Sequence, residues 1–133
     1  MPNPENGNCI KLSFPVNAAY VSSARLTASS VANRMNFDID EIEDIKTAVS
    51  EACTYIIKTL SSEARGNFEI SFLLSNESIE ISISAEGKLS PVPDDMSIMM
   101  IKAMVDDFKI ESGTKDLISV TMLKKHKASI FEL

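Results

Sequence analysis

The stretch DIDEIEDIKTAVSEACTYIIKTL, residues 38–60, decides how the rest of the chain can fold. Ile42, Ile45, Val49, Ala52, Cys53, Ile56, Ile57 and Leu60 recur at the three-and-four spacing that gathers side chains on one side of a 3.6-residue helix. The stretch therefore reads as one long amphipathic helix whose apolar side must face a core. The pattern places its N-cap at Asp40, with Glu43 three residues on as the capping-box partner. Glu41, Glu43 and Asp44 crowd the first turn, where the helix dipole favours negative charge.

Working outward, residues 1–8 are polar, carry two prolines and a glycine, and read as a flexible tail. Cys9 to Pro15 alternates Ile10, Leu12 and Phe14 with polar neighbours, the period of a half-buried strand. Tyr20 to Met35 is a second helix, with Tyr20, Ala24, Ala28, Val31, Ala32 and Met35 at helical spacing, and Asn36-Phe37-Asp38 separates it from the long one. Beyond Leu60, a polar loop to Gly66 leads into two alternating runs, Phe68 to Leu74 and Ile79 to Ile83, joined by the turn residues Ser75-Asn76-Glu77-Ser78. Met96 to Val105 forms a short helix whose stripe Met96, Met99, Met100, Ala103 and Met104 reads as core packing. A second hairpin follows, Asp107 to Ser112 and Leu117 to Lys125, around Gly113-Thr114-Lys115-Asp116. His126, among Lys124, Lys125 and Lys127, reads as part of a solvated basic edge.

Strands and helices do not alternate as βαβ units, so the expected fold is a two-layer α/β (α+β) sandwich with helices on one face of a mainly antiparallel sheet. With 133 residues the chain has length for one real core, and residues 9–133 are expected to form a single domain. A net charge of -6 disfavours nucleic acid as a partner. No apolar run approaches the roughly 18–20 residues that span a bilayer, and the N-terminus lacks the regions of a signal peptide, so the expected location is the cytoplasm, away from membranes. Cys9 and Cys53 lie far apart without ligand spacing, and His126 is the only histidine, so neither a disulfide nor a metal site is expected.

The run Glu41 to Thr54, EIEDIKTAVSEACT, resembles the N-box helix of the anti-sigma-factor serine/threonine kinases, members of the GHKL (Bergerat) superfamily with the histidine-kinase-like ATPase fold. The likeness extends from about Ile10 to Lys125 and includes MVDDFKIES, residues 104–112. It implies a mixed sheet with helices packed on one side, and a site for ATP and Mg²⁺. Glu51 matches the family's general base. The asparagine that would follow Thr54 as a metal ligand is replaced by Tyr55, a bulky phenol that is a poor substitute for an amide oxygen. The adenine-reading Asp-x-Gly-x-Gly falls on Ala85-Glu86-Gly87-Lys88-Leu89, which keeps one glycine and loses the aspartate. Glu86 is next door but points to the other face of the strand. Only eight residues separate Gly87 from Met96, where the family has a longer lid. The glycine-rich phosphate turn matches Asp95-Met96-Ser97-Ile98, with Asp95 and Ser97 at the glycine positions.

By this resemblance the chain is a degenerate family member, a pseudoenzyme without ATP or Mg²⁺ as cofactor. It would act as an anti-sigma-factor-like regulatory module in a partner-switching system. A sigma factor or an anti-sigma antagonist is its implied partner, and a homodimer its implied assembly. The alternative is an ATP-binding serine/threonine protein kinase with an altered site working through Glu51 and Glu86; a third reading is a small-ligand sensor using a pocket under Tyr55. Glu51 also admits a structural role, exposed or paired with Lys46 or Lys58, and Tyr55 admits one as a plug resting on Met96 or Met99. Arg25 matches a basic residue at the family's partner surface. That surface is expected along Ser22, Arg25, Ser29 and Ala32 of the first helix, apart from the former active site.

Overall fold

The computed structural model describes residues 8–60, 66–90, 96–112 and 116–127. Strand β1 (Cys9–Pro15) leads through a 3-10 turn (Ala18–Tyr20) into helices α1 (Val21–Arg34) and α2 (Ile39–Thr59). The hairpin β2 (Asn67–Leu74) and β3 (Ser78–Glu86), helix α3 (Met96–Met104), and the hairpin β4 (Asp107–Ser112) and β5 (Leu117–Lys125) follow. The expected tail at residues 1–8 lies outside the described residues except for Asn8, whose carbonyl accepts the Leu74 N–H at 2.8 Å. Most of the expected loop after Leu60 also lies outside them, as do Asp95 and the chain after Lys127.

The α1–α2 connection is a Schellman turn. Asn36 takes the left-handed conformation at φ 63°, which asparagine tolerates better than most residues. The N–H of Asn36 reaches Asn33 O at 3.3 Å and that of Phe37 reaches Ala32 O at 3.4 Å. Helix α2 then starts two residues earlier than the sequence pattern suggested, so the N-cap is Asp38 and not Asp40. Asp38 accepts from the Glu41 N–H at 2.8 Å, and the Glu41 carboxylate accepts from the Asp38 N–H at 2.9 Å, a complete capping box. This register puts Phe37 and Ile42 at the two positions of a hydrophobic staple, and Phe37 is buried.

The sheet has five strands in the order β1-β2-β3-β5-β4, and all its pairings are antiparallel. Register aligns the apolar faces into rows: Leu12, Ile70, Ile83, Val120 and Ile110 across the strands, and Ile10, Phe72, Ile81, Met122 and Phe108 beside them. Because side chains alternate along each strand, the intervening residues, among them Lys11, Ser71, Ser82, Thr121 and Lys109, occupy the other face. Helix α2 packs on β3 and β5 and contacts both α1 and α3. Ile45, Ala48, Val49, Ala52, Cys53 and Ile56 are fully buried there. Each large aliphatic among them contributes roughly 1.5–3 kcal/mol. Burial also pushes the Cys53 thiol up from 9.0 to about 12, so it stays protonated and serves as a small apolar side chain.

Three packing expectations are corrected. Ala32 is buried against the core rather than displayed, because α1 uses Ala24, Ala28, Val31 and Ala32 to approach α2 closely. Tyr20 sits in the 3-10 turn and is exposed. Helix α3 buries Ser97 and Ile101; of its expected stripe only Met104 packs against the core, while Met96 and Met99 are 59% and 64% exposed and Ala103 is exposed. The basic edge is not simply solvated either, since Lys124 Nζ lies 3.1 Å from Asp44 Oδ2 and 2.8 Å from the Met104 carbonyl.

The cap assignment is testable by thermal melts of Asp38→Ala and Asp40→Ala. Only the first should lower the melting temperature, and equal losses would restore the Asp40 assignment. The Glu41 N–H holds the Asp38 carboxyl below its ordinary 3.8, opposed by partial desolvation and aided by Lys127. A depressed folded value means the cap's contribution is intact above the ordinary carboxylate range and lost as pH falls through the depressed one. The difference between wild type and Asp38→Ala should therefore persist at neutral pH and shrink on acidification.

Candidate functional site

Helices α1 and α2 enclose a groove of about 300 Å³ lined by Arg25, Glu43, Lys46, Thr47, Ser50 and Glu51. The residues come together because the Schellman turn folds α1 back along α2, and the small alanines of α1 let the two axes approach. Lys46 is engaged by Glu43 at 3.3 Å, so it is not a partner of Glu51. Arg25 and Glu51 have no ion-pair partner among the described residues, and both line the groove. The expectation that the Arg25 surface lies apart from Glu51 is thus corrected: the two belong to one cleft. Of the first-helix flank, Ser22 and Arg25 are exposed and Ser29 half-buried, while Ala32 lies in the core.

Ser50 adds something the sequence did not signal. Its Oγ is buried without a hydrogen-bond partner, and the residue lines the groove. Other helical hydroxyls satisfy themselves locally: Thr27 Oγ1 donates to Ser23 O at 2.9 Å and Thr59 Oγ1 to Tyr55 O at 2.8 Å. Leaving a buried hydroxyl unmatched costs about 1–3 kcal/mol.

One turn beyond Glu51, Tyr55 is half-buried and packs against the core. The exposed Met96 and Met99 make poor companions for a plug at this position. At the end of β3, Ala85 is 2% exposed and offers no acceptor, whereas Glu86 is exposed opposite Leu117. Gly87 continues the ladder by donating its N–H to Asp116 O at 2.9 Å. Its φ of 158° suits glycine, and a Cβ there would sit 3.2 Å from Leu60 Cδ2. From Gly87 the chain docks on the C-terminal end of α2: Leu89 forms a β-bridge with Leu60, and the Ser90 N–H reaches Thr59 O at 2.7 Å. Ser97, in the first turn of α3, is buried, and Asp95 lies outside the described residues. Among the described residues no group of three or more acidic, histidine or cysteine side chains is arranged to hold a metal ion, and no helix is long and apolar enough to cross a membrane.

The chain segment after β5 also reaches this helical layer. His126 Nε2 is 2.7 Å from Asn36 O with its ring on Phe37, and the Lys127 N–H donates to Glu41 Oε2 at 2.7 Å. The available sequence signal was the three-residue spacing of Asp38, Glu41 and Asp44 opposite the basic run 124–127.

Residues 14–124 match the family model described as the histidine kinase-like ATPase domain. Serine-protein kinase RsbW of Bacillus cereus and that of Bacillus thuringiensis are each 44% identical over 78 residues, covering 59% of this chain and 49% of theirs. The chain thus spans about half the length of these curated relatives. A solved structure of the RsbU and RsbW domains of a Mycobacterium tuberculosis protein superposes with a TM-score of 0.73 at 15% identity, covering 89% of this chain and 32% of that one, a likeness of fold. These matches bear out the resemblance carried by residues 41–54, and the chain belongs to the histidine kinase-like ATPase domain family, similar within it to the anti-sigma-factor serine kinases.

Proposed function

We propose that this chain is an anti-sigma-factor-like regulatory module that binds protein partners at the α1–α2 groove and has given up the family's nucleotide. The observation that carries the second half is the docking of Gly87 to Ser90 on Thr59 and Leu60, with Tyr55 at the place where the resemblance puts a metal ligand. Leu60 packs over Gly87, and Ala85 cannot accept an adenine amino proton. These residues do not fit Mg-ATP.

The first half rests on the groove. An unpaired guanidinium and an unpaired carboxylate, flanked by Thr47, Ser50 and the Glu43–Lys46 pair, suit a partner segment that brings its own carboxylate and its own donor. A sigma factor or an anti-sigma antagonist is the partner this reading names, in a cytoplasmic partner-switching system, with residues 9–133 as one domain and a homodimer as the working assembly. The kinase alternative draws on the same unpaired Glu51, which the resemblance matches to the family's general base.

Titration with Mg-ATP should leave the melting temperature unchanged. A ligand at 100 times its dissociation constant stabilises a fold by about 2.7 kcal/mol, so saturable stabilisation would move the assignment to the kinase. Tyr55→Ala should cost about 2 kcal/mol, below the roughly 3–5 of a fully buried aromatic; a neutral result would indicate an open pocket and favour the ligand sensor. Arg25→Ala should weaken capture of the sigma factor or antagonist by about 1–4 kcal/mol without altering thermal stability. Arg25→Lys should restore only part of that loss, because lysine cannot make forked hydrogen bonds to a carboxylate. Normal capture by Arg25→Ala would remove the groove as the partner site.

A further inference from the structure

The geometry points to residues 124–127 as a latch that holds the α1–α2 hairpin in the shape that forms the Arg25–Glu51 groove, making partner affinity adjustable from the far end of the chain. The inference rests on the groove being the partner site.

Asp38, Glu41 and Asp44 stand three residues apart along the cap and first turns of α2, and each is met by residues 124–127, at the end of β5 and just beyond it. Lys124 Nζ reaches Asp44 Oδ2 at 3.1 Å, the Lys127 N–H reaches Glu41 Oε2 at 2.7 Å, and Lys127 Nζ lies 3.6 Å from Asp38 Oδ2. Between them, the His126 N–H donates to Glu77 O at 2.7 Å and the His126 ring lies over Phe37 at a centroid distance of 5.0 Å. Its Nε2 is 2.7 Å from the carbonyl of Asn36. The latch thus ties the β2–β3 turn to the left-handed residue of the Schellman turn and to the cap of α2.

Glu41 is the keystone. The residue is 1% exposed, and its carboxylate divides its two oxygens between the Asp38 N–H and the Lys127 N–H. Opening the latch would strip one buried oxygen of its donor and uncover Phe37, which is 4% exposed. Both changes fall on the turn that sets how α1 lies against α2. Arg25 and Glu51 reach the groove from opposite sides of that turn, so a looser turn changes their separation.

Amide hydrogen exchange on the full chain tests this without any partner. In Glu41→Gln, which can accept only one of the two N–H groups, exchange should quicken roughly tenfold at residues 36–42 and also rise in the segment 47–51, which carries Thr47, Ser50 and Glu51 of the groove. His126→Ala should give the same pattern more weakly, and it supplies the readout where Glu41→Gln fails to fold. Lys109→Ala, in the exposed pair with Glu111, should leave both regions unchanged. Faster exchange confined to residues 36–42 would make the contact merely local and overturn the proposal, as would no change at all. Loss of partner capture by Arg25→Ala is a separate measurement, so failure of the groove reading and failure of the latch can be told apart.

Discussion

Burial of one side of α2 is the constraint on which the other elements depend. Ile45, Val49, Cys53 and Ile56 are inaccessible to solvent, and the helix touches α1, α3, β3 and β5 at once. Its ends are equally committed. The first turns hold the capping box and receive residues 124–127, while the last turn receives Ser90 and Leu89. The stripe between those ends, from Glu43 to Tyr55, carries the α2 residues that line the groove with Arg25, and Tyr55 one turn beyond Glu51. A change in how α2 sits would move the α1–α2 groove and the region around Tyr55 together.

Much of this architecture was legible locally. The strands announce themselves because one sheet face is buried and the other is not, so Ile, Phe and Val alternate with Ser, Thr and charge. The long helix was legible because its apolar residues leave a clear polar side. Helix α3 was not, since MSIMMIKAM is apolar nearly all round and its period cannot choose a face; contact with α2 selects Ser97 and Ile101. The cap was ambiguous because Asp38-x-x-Glu41 and Asp40-x-x-Glu43 are both acceptable boxes. What decides between them is the left-handed Asn36 and the burial of Phe37, both features of the tertiary turn.

The candidate site was legible as residue types and not as an assembly. Arg25 and Glu51 are 26 positions apart, and only the hairpin geometry places them in one groove. Ser50 and Thr59 are both hydroxyl residues of α2, yet Thr59 is satisfied by its own helix and Ser50 is not. His126 pairs with Asn36 across 90 positions, a contact that no local pattern encodes. The substitutions at Tyr55, Ala85 and Ser97 were readable one by one. Their joint consequence depends on the chain after Gly87 lying against Leu60.

On the proposed reading, the scaffold is kept without the nucleotide, and partner affinity is set by means other than phosphate. On that reading the region around Tyr55, Gly87 and Ser97 does not receive Mg-ATP. Amide chemical-shift mapping during a Mg-ATP titration addresses it residue by residue. No saturable movement of the Tyr55, Gly87 and Ser97 signals is expected, and concerted saturable movement of those three would contradict the loss of the nucleotide.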